Sequence, residues 1–270
     1  MTNEKVSIIM GVYNCSNTLN EAIDSILMQT YIDWELIICD DGSTDDTYNV
    51  LLKYKTLYPD KIIILRNEKN YRLSYSLNKC LKYASGKYIA RMDGDDLSAP
   101  TRLEKQVSFL RENQRVHLIG TSMQRFNEEG THNILYSIQN PDKFTLKNKT
   151  PFNHATIMTY KHVYDRLGGY TVSERTKRSQ DIDLWFRFYK EGFNGRNLTE
   201  PLYYVRENYD AIKRRTFKVR FNSYKTRLIG FKMLGYPLYW YIPITFNFLI
   251  KSITPYFLIS LYRKYQFTHK

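Results

Sequence analysis

Cysteine is scarce in this chain: Cys15, Cys39 and Cys80 are the only ones in 270 residues. None forms a Cys-x-x-Cys pair, so neither a zinc site nor a disulfide framework is supported. Each reads as a small buried residue in a reducing compartment. Glycine-rich phosphate loops are also missing. No Gly-x-Gly-x-x-Gly follows the first strand-like run, and no Gly-Lys-Ser/Thr occurs. That argues against a dinucleotide oxidoreductase and a P-loop ATPase. Neither apolar run near the C-terminus reaches the roughly 20 residues that span a bilayer. No secretory signal pattern opens the chain, since Met1-Thr2-Asn3-Glu4-Lys5 leads at once into a strand-like segment. Internal repeats and low-complexity segments are absent too.

What is present begins with charge. The formal net charge is +13, and it is unevenly placed. Residues 201–270 hold 13 Lys and Arg against 2 acids, whereas residues 1–200 hold 27 against 25. The surplus reads either as a solvated surface or as a face for an anionic partner, lipid or nucleic acid.

The first half alternates between two periodicities. Val6–Val12, Trp34–Cys39, Lys61–Leu65 and Lys87–Met92 are short apolar runs that predict buried strands. Between and after them, Thr18–Gln29, Asp45–Tyr58, Leu73–Ala84 and Pro100–Glu112 predict helices. This order implies a mostly parallel α/β sheet covered on both faces. Farther on, Val116–Thr121 and Phe152–Thr159 predict strands, and Val163–Leu167 and Ser179–Glu191 predict helices.

From Asp210 the character changes. Phe217, Phe221, Tyr224, Leu228 and Phe231 recur at helical spacing, surrounded by lysine and arginine. The uncharged runs Tyr236–Ile250 and Ser252–Tyr262 follow. A basic amphipathic helix leading into aromatic-rich runs suits a helical extension lying on an anionic membrane surface. Packing back on the preceding domain is the competing expectation. The expected division is residues 1–205 for the catalytic domain and 206–270 for the extension.

Three polar clusters fall at predicted strand ends, where open α/β sheets bind ligands. They are Val12-Tyr13-Asn14, Asp40-Asp41-Gly42-Ser43 and Asp93-Gly94-Asp95-Asp96. Acids at helix starts often serve as caps, which is open to Asp40, Asp41 and Asp96. Three carboxylates within four residues are costly unless a cation neutralises them. Oxygen ligands of this kind suit Mg2+ or Mn2+ carrying a phosphate ligand.

These segments resemble glycosyltransferase family 2, enzymes of the GT-A (Rossmann-like) fold that use nucleotide sugars. The matching stretches are residues 6–14, 35–45, 86–96 and Pro100-Thr101-Arg102-Leu103, then Phe152-Asn153-His154, Gly168-Gly169-Tyr170 and Gln180-Asp181. Together they cover about three quarters of the chain, and as an ordered set they are specific. The resemblance implies that Val12 and Tyr13 line the base pocket and that Asp41 accepts a hydrogen bond from the base. It implies Asp93 at the ribose or the metal's hydration shell, Asp95 on a divalent metal, and Asp96 as a structural acid. Asp181 matches the general base of an inverting transfer, and His154 and Gly169 fall on the acceptor side. The implied function is transfer from a nucleotide-diphosphate sugar, UDP-linked by expectation, to a lipid-linked glycan acceptor. That reaction belongs to cell-surface polysaccharide synthesis, with the protein peripheral on the cytoplasmic face of the membrane.

Departures are visible. Gln180 stands where the family often has Glu, and Arg72 where an Asn-x-Gly motif has Gly. Arg72 could reach the diphosphate, but the simpler reading is an exposed loop residue. Val205-Arg206-Glu207-Asn208 lacks the histidine of a Tyr-Arg-x-His motif. Two other classes remain in view. A soluble nucleotidyltransferase calls for a glycine-rich loop after the first strand, which is missing. A non-catalytic nucleic-acid binder leaves the acidic clusters without a role, since they repel phosphate.

Overall fold

The computed structural model describes residues 4–207 and 216–253. The basic residues Lys213, Arg214 and Arg215, and the apolar run beyond Ile253, lie outside the described residues.

Four parallel strands form the first half of a nine-stranded sheet. They are β1 (Val6–Val12), β2 (Trp34–Asp40), β3 (Ile62–Arg66) and β4 (Tyr88–Met92). Their order is β3-β2-β1-β4. β1, β2 and β4 are buried almost throughout, as their near-continuous apolar runs require. Helices α1 (Ser16–Leu27), α2 (Thr47–Leu57) and α3 (Leu73–Tyr83) make the crossovers. The chain steps from β1 outward to β2 and β3, then returns to place β4 on the other side of β1. The loops after β1 and β4 therefore diverge, and the crevice between them is a ligand position.

The second half of the sheet is mixed. After β4 come β5 (Leu97–Ser98), α4 (Arg102–Glu112), β6 (Leu118–Asn127) and β7 (Gly130–Leu135). β8 (Met158–Tyr160) pairs antiparallel with both β4 and β6. After α5 (Lys161–Leu167) and α6 (Gln180–Lys190), β9 (Gly195–Arg206) runs parallel to β6. The parallel character inferred from the alternation thus holds for the first four strands. The expected strand Phe152–Thr159 is shorter than predicted. Residues 154–156 form a 3-10 turn, in which the Asn153 carbonyl accepts from the Thr156 amide (2.9 Å) and hydroxyl (2.9 Å). A local turn of this kind competes with the ladder.

The expected 205/206 boundary falls at the last residues of β9. Beyond it, α7 (Phe217–Met233) packs against α6. Gly230 permits the approach, because a Cβ there would overlap the Phe186 ring. Phe231 is fully buried and meets Phe186 edge-on at 6.0 Å. The rest of the aromatic stripe meets a second helix, although Phe217 and Phe221 keep much of their surface exposed. Phe217, Phe221 and Tyr224 gather around Phe248 of α8 (Tyr241–Ile253), with centroids 6.0, 6.0 and 4.6 Å away. Packing back on the domain is what α7 does. Among the described residues, no helix is long and apolar enough to cross a membrane.

Candidate functional site

A cleft of about 1170 Å3 opens over the carboxyl ends of β1, β2 and β4. Ligand pockets commonly run from ~300 to 1,000 Å3, so this one has room for more than a single small molecule. One half is lined by Val12, Tyr13, Asp41, Arg72 and Asp93, and the other by residues on α6, α7 and α8. Asp181 lines the same cleft.

In the first half, loops are fastened to one another. The Asp41 amide donates to the Val12 carbonyl (2.8 Å), joining the ends of β1 and β2. Asn14 has φ +50, and its amide donates to Ser43 Oγ (3.0 Å). Asp41 is buried, and its carboxylate organises the loop before α3. Oδ1 accepts from Asn67 Nδ2 (2.8 Å) and the Tyr71 amide (2.9 Å), and Oδ2 from the Arg72 amide (2.7 Å). Neither Asp40 nor Asp41 caps α2, whose N-cap is Asp46. Tyr13 stands half exposed at the mouth, available for stacking.

The acidic cluster after β4 is not a uniform cation cage. Asp93 is held by Arg91, whose Nη1 and Nη2 reach its two oxygens at 2.9 and 2.5 Å. Asp96 is buried and accepts from the Arg206 amide at 2.8 Å, so it ties the loop to β9 and does not cap α4. Burial, with Asp93 and Asp95 nearby, pushes its carboxyl well above the usual range. Arg206 adds a bond from Nε to the Asp95 carbonyl (3.0 Å). Asp95 is left without a side-chain cation partner among the contacts described. Burial and then Asp93 raise its pKa. It is not among the residues lining the cleft. No group of three or more His, Cys, Asp or Glu side chains able to hold a metal occurs among the described residues. What this donor set fits is a cation held by one carboxylate and completed by phosphate oxygens, a common arrangement for Mg2+. The observation that favours such a fit is that burial and Asp93 outweigh Arg91 and Arg206 at Asp95, leaving its charge only partly compensated.

Asp181 is the second residue of α6, and Ser179 stands at the N-cap position. Burial raises its pKa, only partly offset by backbone N–H groups at the helix end and by Arg91 and Arg227. A raised pKa makes a carboxylate a better proton acceptor at neutral pH. Gln180 lines the cleft beside it, with its Oε1 buried and without a hydrogen-bond partner. Arg227 of α7 also lines the cleft and donates to the Leu146 carbonyl at 3.0 Å. It belongs to a basic wall with Lys147, Lys177, Arg178, Lys218 and Arg220. Glu174 offsets part of that charge, lying 3.4 Å from Lys177 and 3.6 Å from Lys218.

The structure does not bring His154 or Gly169 into the cleft lining. His154 Nε2 is 2.8 Å from the Tyr170 hydroxyl, which in turn lies 2.7 Å from that of Tyr164. Burial, with Arg91 nearby, pushes the imidazole pKa well below its usual value, so it is neutral. Gly169 has φ +71 and follows the Gly168 cap of α5, where a Cβ would collide with Asn78. Both residues are engaged in packing and turn geometry. Arg91, Arg206 and Arg227 are the site residues whose part was not foreseen. A charged residue inside the apolar run Tyr88–Met92 was the available signal for Arg91. Nothing local marks Arg227, which only tertiary packing carries to Asp181.

Against this geometry, the family model described as Glycosyl transferase family 2 matches residues 7–168. The chain belongs to glycosyltransferase family 2. It is 46% identical over 260 residues to a Bacillus subtilis (strain 168) protein named as a glycosyltransferase, EpsE, covering 96% of this chain and 93% of that protein. It is 30% identical over 215 residues to the Escherichia coli enzyme UDP-Glc:alpha-D-GlcNAc-diphosphoundecaprenol beta-1,3-glucosyltransferase WfaP, covering 80% of this chain and 82% of the other. The fold is that of S. aureus TarS 1-349 solved with UDP, with a TM-score of 0.64 at 18% identity, covering 85% of this chain and 70% of that TarS 1-349 chain. The fold is GT-A: a mixed sheet with flanking helices.

Proposed function

We propose that this glycosyltransferase moves a sugar from a UDP-sugar to a hydroxyl of a lipid-linked glycan, with inversion, in building a cell-surface polysaccharide. The observation that carries the reading is the shared cleft. A desolvated carboxylate, Asp181, faces the same space as Tyr13, Asp41 and Asp93, with a basic wall beyond it. In this reading Tyr13 stacks on the base, Asp41 accepts its N–H, and Asp93 accepts from the ribose hydroxyls. Arg91 holds Asp93 in place for that task. Asp181 takes the proton of the acceptor hydroxyl as its oxygen attacks the anomeric carbon and the nucleoside diphosphate departs on the opposite side. A divalent metal held through Asp95, when bound, supplies positive charge to the leaving diphosphate. The name of WfaP supports a donor of the UDP class and an acceptor carrying a lipid diphosphate. The wall of Lys147, Lys218 and Arg227 has the charge to receive such a diphosphate.

Placement at the cytoplasmic face of the membrane is part of the proposal. Leu238 (83%), Ile242 (68%), Phe246 (63%) and Leu249 (53%) are exposed, and the last three lie along one face of α8. A lipid-linked acceptor is presented at such a boundary, and a short amphipathic helix lies in it without crossing. Ile242→Glu with Phe246→Glu is expected to cut binding to anionic phospholipid vesicles by about 10–100-fold, from the apolar area withdrawn. Hydrolysis of the nucleotide sugar in solution should be unchanged. Vesicle co-sedimentation checks this, and equal sedimentation of the variant removes α8 as the anchor. The enzymatic reading itself is tested by incubating the protein and Mn2+ with UDP-sugars and following UDP release.

A further inference from the structure

α8 is apolar on two opposite sides. Residues 241–250 carry no charge. At the helical period, Ile242, Phe246 and Leu249 share one side, and Pro243, Ile244, Asn247 and Phe248 share the other. The first side is exposed. The second lines the cleft, with Ile244 and Phe248 half-buried and Pro243 and Asn247 exposed. A helix that is apolar all round is ordinarily covered all round. Protein covers this one only in part. Phe248 stacks on Tyr224 of α7 at 4.6 Å, and Ile244 packs at the margin of the core that holds Trp185 and Phe231.

The cleft therefore has a lining of a third kind. Its nucleotide half presents carboxylates and Tyr13, and α7 brings cations. Beside those cations, Val219, Tyr224, Pro243, Ile244 and Phe248 add an apolar strip. The two linings are interleaved. Lys218, Val219 and Arg220 are consecutive, and all three line the cleft. The Tyr224 hydroxyl lies 2.8 Å from Thr245 Oγ1, which fastens α7 to α8 at this place. An aliphatic wall offers nothing to a diphosphate or to sugar hydroxyls, which lose their water there without gaining a hydrogen bond. A molecule with a diphosphate head and a hydrocarbon chain matches the cations and the strip together.

We propose that the inner side of α8 seats the hydrocarbon chain of the acceptor. The diphosphate lies on Lys218 and Arg227, and the first carbons of the chain run over Val219, Ile244 and Phe248. α8 then meets lipid on both sides, the bilayer on one and a single chain drawn from it on the other. This rests on the lipid-linked acceptor reading given above and adds the place where the lipid itself is recognised. The consequence is selectivity. The protein distinguishes one diphosphate ester from another by its chain, without help from a membrane.

The test uses probes that carry no sugar, in vesicle-free buffer below the concentrations at which they form micelles. Titration calorimetry of the full chain, with UDP and Mn2+ present to fill the donor half, compares methyl diphosphate, decyl diphosphate and decanol. Each methylene withdrawn from water strengthens binding by about fourfold. Decyl diphosphate is therefore expected to bind about 100-fold more tightly than methyl diphosphate, the effect of roughly three or four buried methylenes. Decanol, which lacks the head, should bind about 10-fold or more weaker than decyl diphosphate. Ile244→Asn should lower the decyl-to-methyl ratio about 10-fold, from the apolar contact removed. Asn247→Leu puts an aliphatic group on an exposed position of the same side and should raise the ratio about threefold. That variant tests the seat even if the first does not fold. A wild-type ratio near one, with methyl diphosphate bound, would make the wall a general phosphate site and overturn the proposal. A ratio lowered by Ile242→Glu with Phe246→Glu and not by Ile244→Asn would put the chain on the outer side, with the same consequence. Faster UDP release with a polyprenyl-diphosphate-linked acceptor but no dependence on chain length would sink this inference alone. If neither diphosphate binds and that acceptor has no effect, the lipid-linked acceptor reading falls and this one falls with it.

Discussion

Asp181→Asn is expected to lower sugar transfer by about 1,000-fold while leaving the protein folded and its melting temperature unchanged or higher. The first half follows from the assigned role, since removing a positioned general base costs roughly 100- to 10,000-fold. The second half follows from burial. Desolvation raises the carboxyl pKa above its ordinary 3.8, so at neutral pH the ionised form is a cost to the folded state. An amide of the same shape removes that cost. The same shift sets the pH profile. Transfer needs the carboxylate, so kcat/KM should fall as pH drops through the raised pKa. That acid limb should lie at higher pH than an unperturbed aspartate would give, and it should vanish from the residual activity of the variant. Initial rates across pH and a melting scan check both halves. Transfer at the wild-type rate by a folded variant would remove Asp181 from the chemistry.

The second large effect concerns Asp95. Asp95→Asn, or chelation of the wild type with EDTA, is expected to reduce transfer by about 100-fold or more, because charge on the leaving diphosphate then goes uncompensated. Stability separates this from simple damage. Asp95 is a partly buried carboxylate whose pKa is raised by desolvation and by Asp93, so its charge destabilises the metal-free protein at neutral pH. The variant should therefore melt no lower than the metal-free wild type. UDP with Mn2+ should raise the wild-type Tm well above the effect of UDP alone and should not do so for the variant. A metal-dependent Tm rise that survives the substitution would place the cation elsewhere.

Much of the nucleotide half could be read from the chain. Short apolar runs ending in polar residues locate β1, β2 and β4, and the alternation with helices puts their ends on one edge. Tyr13, Asp41 and Asp93 follow from that, and the cleft contains all three. What could not be read is partnership across long separations. Asp93 reads in sequence as a contact to the ribose or to the metal's hydration shell, with no sign that Arg91 reaches both of its oxygens. Asp96 looks like a helix cap, yet its hydrogen bond comes from Arg206, on a strand that the uneven pattern around Pro201 concealed. The aromatic stripe of α7 shows the same gap between pattern and cause. Periodicity states that a face is apolar but not what covers it. Here Phe186 covers Phe231 and Phe248 covers Tyr224, while Phe217 stays largely exposed. That packing brings Arg227 toward Asp181, so the extension contributes a wall of the cleft.

The central claim is that this cleft binds a UDP-sugar and breaks its glycosidic phosphate bond. The most direct measurement is release of UDP from a panel of UDP-sugars by the purified full chain with Mn2+, with and without a polyprenyl-diphosphate-linked acceptor. The account predicts slow release from at least one donor alone and faster release with the acceptor; Asp181→Asn should abolish the stimulation by the acceptor, and EDTA should abolish release in both cases. No release and no UDP binding under any of these conditions would contradict it.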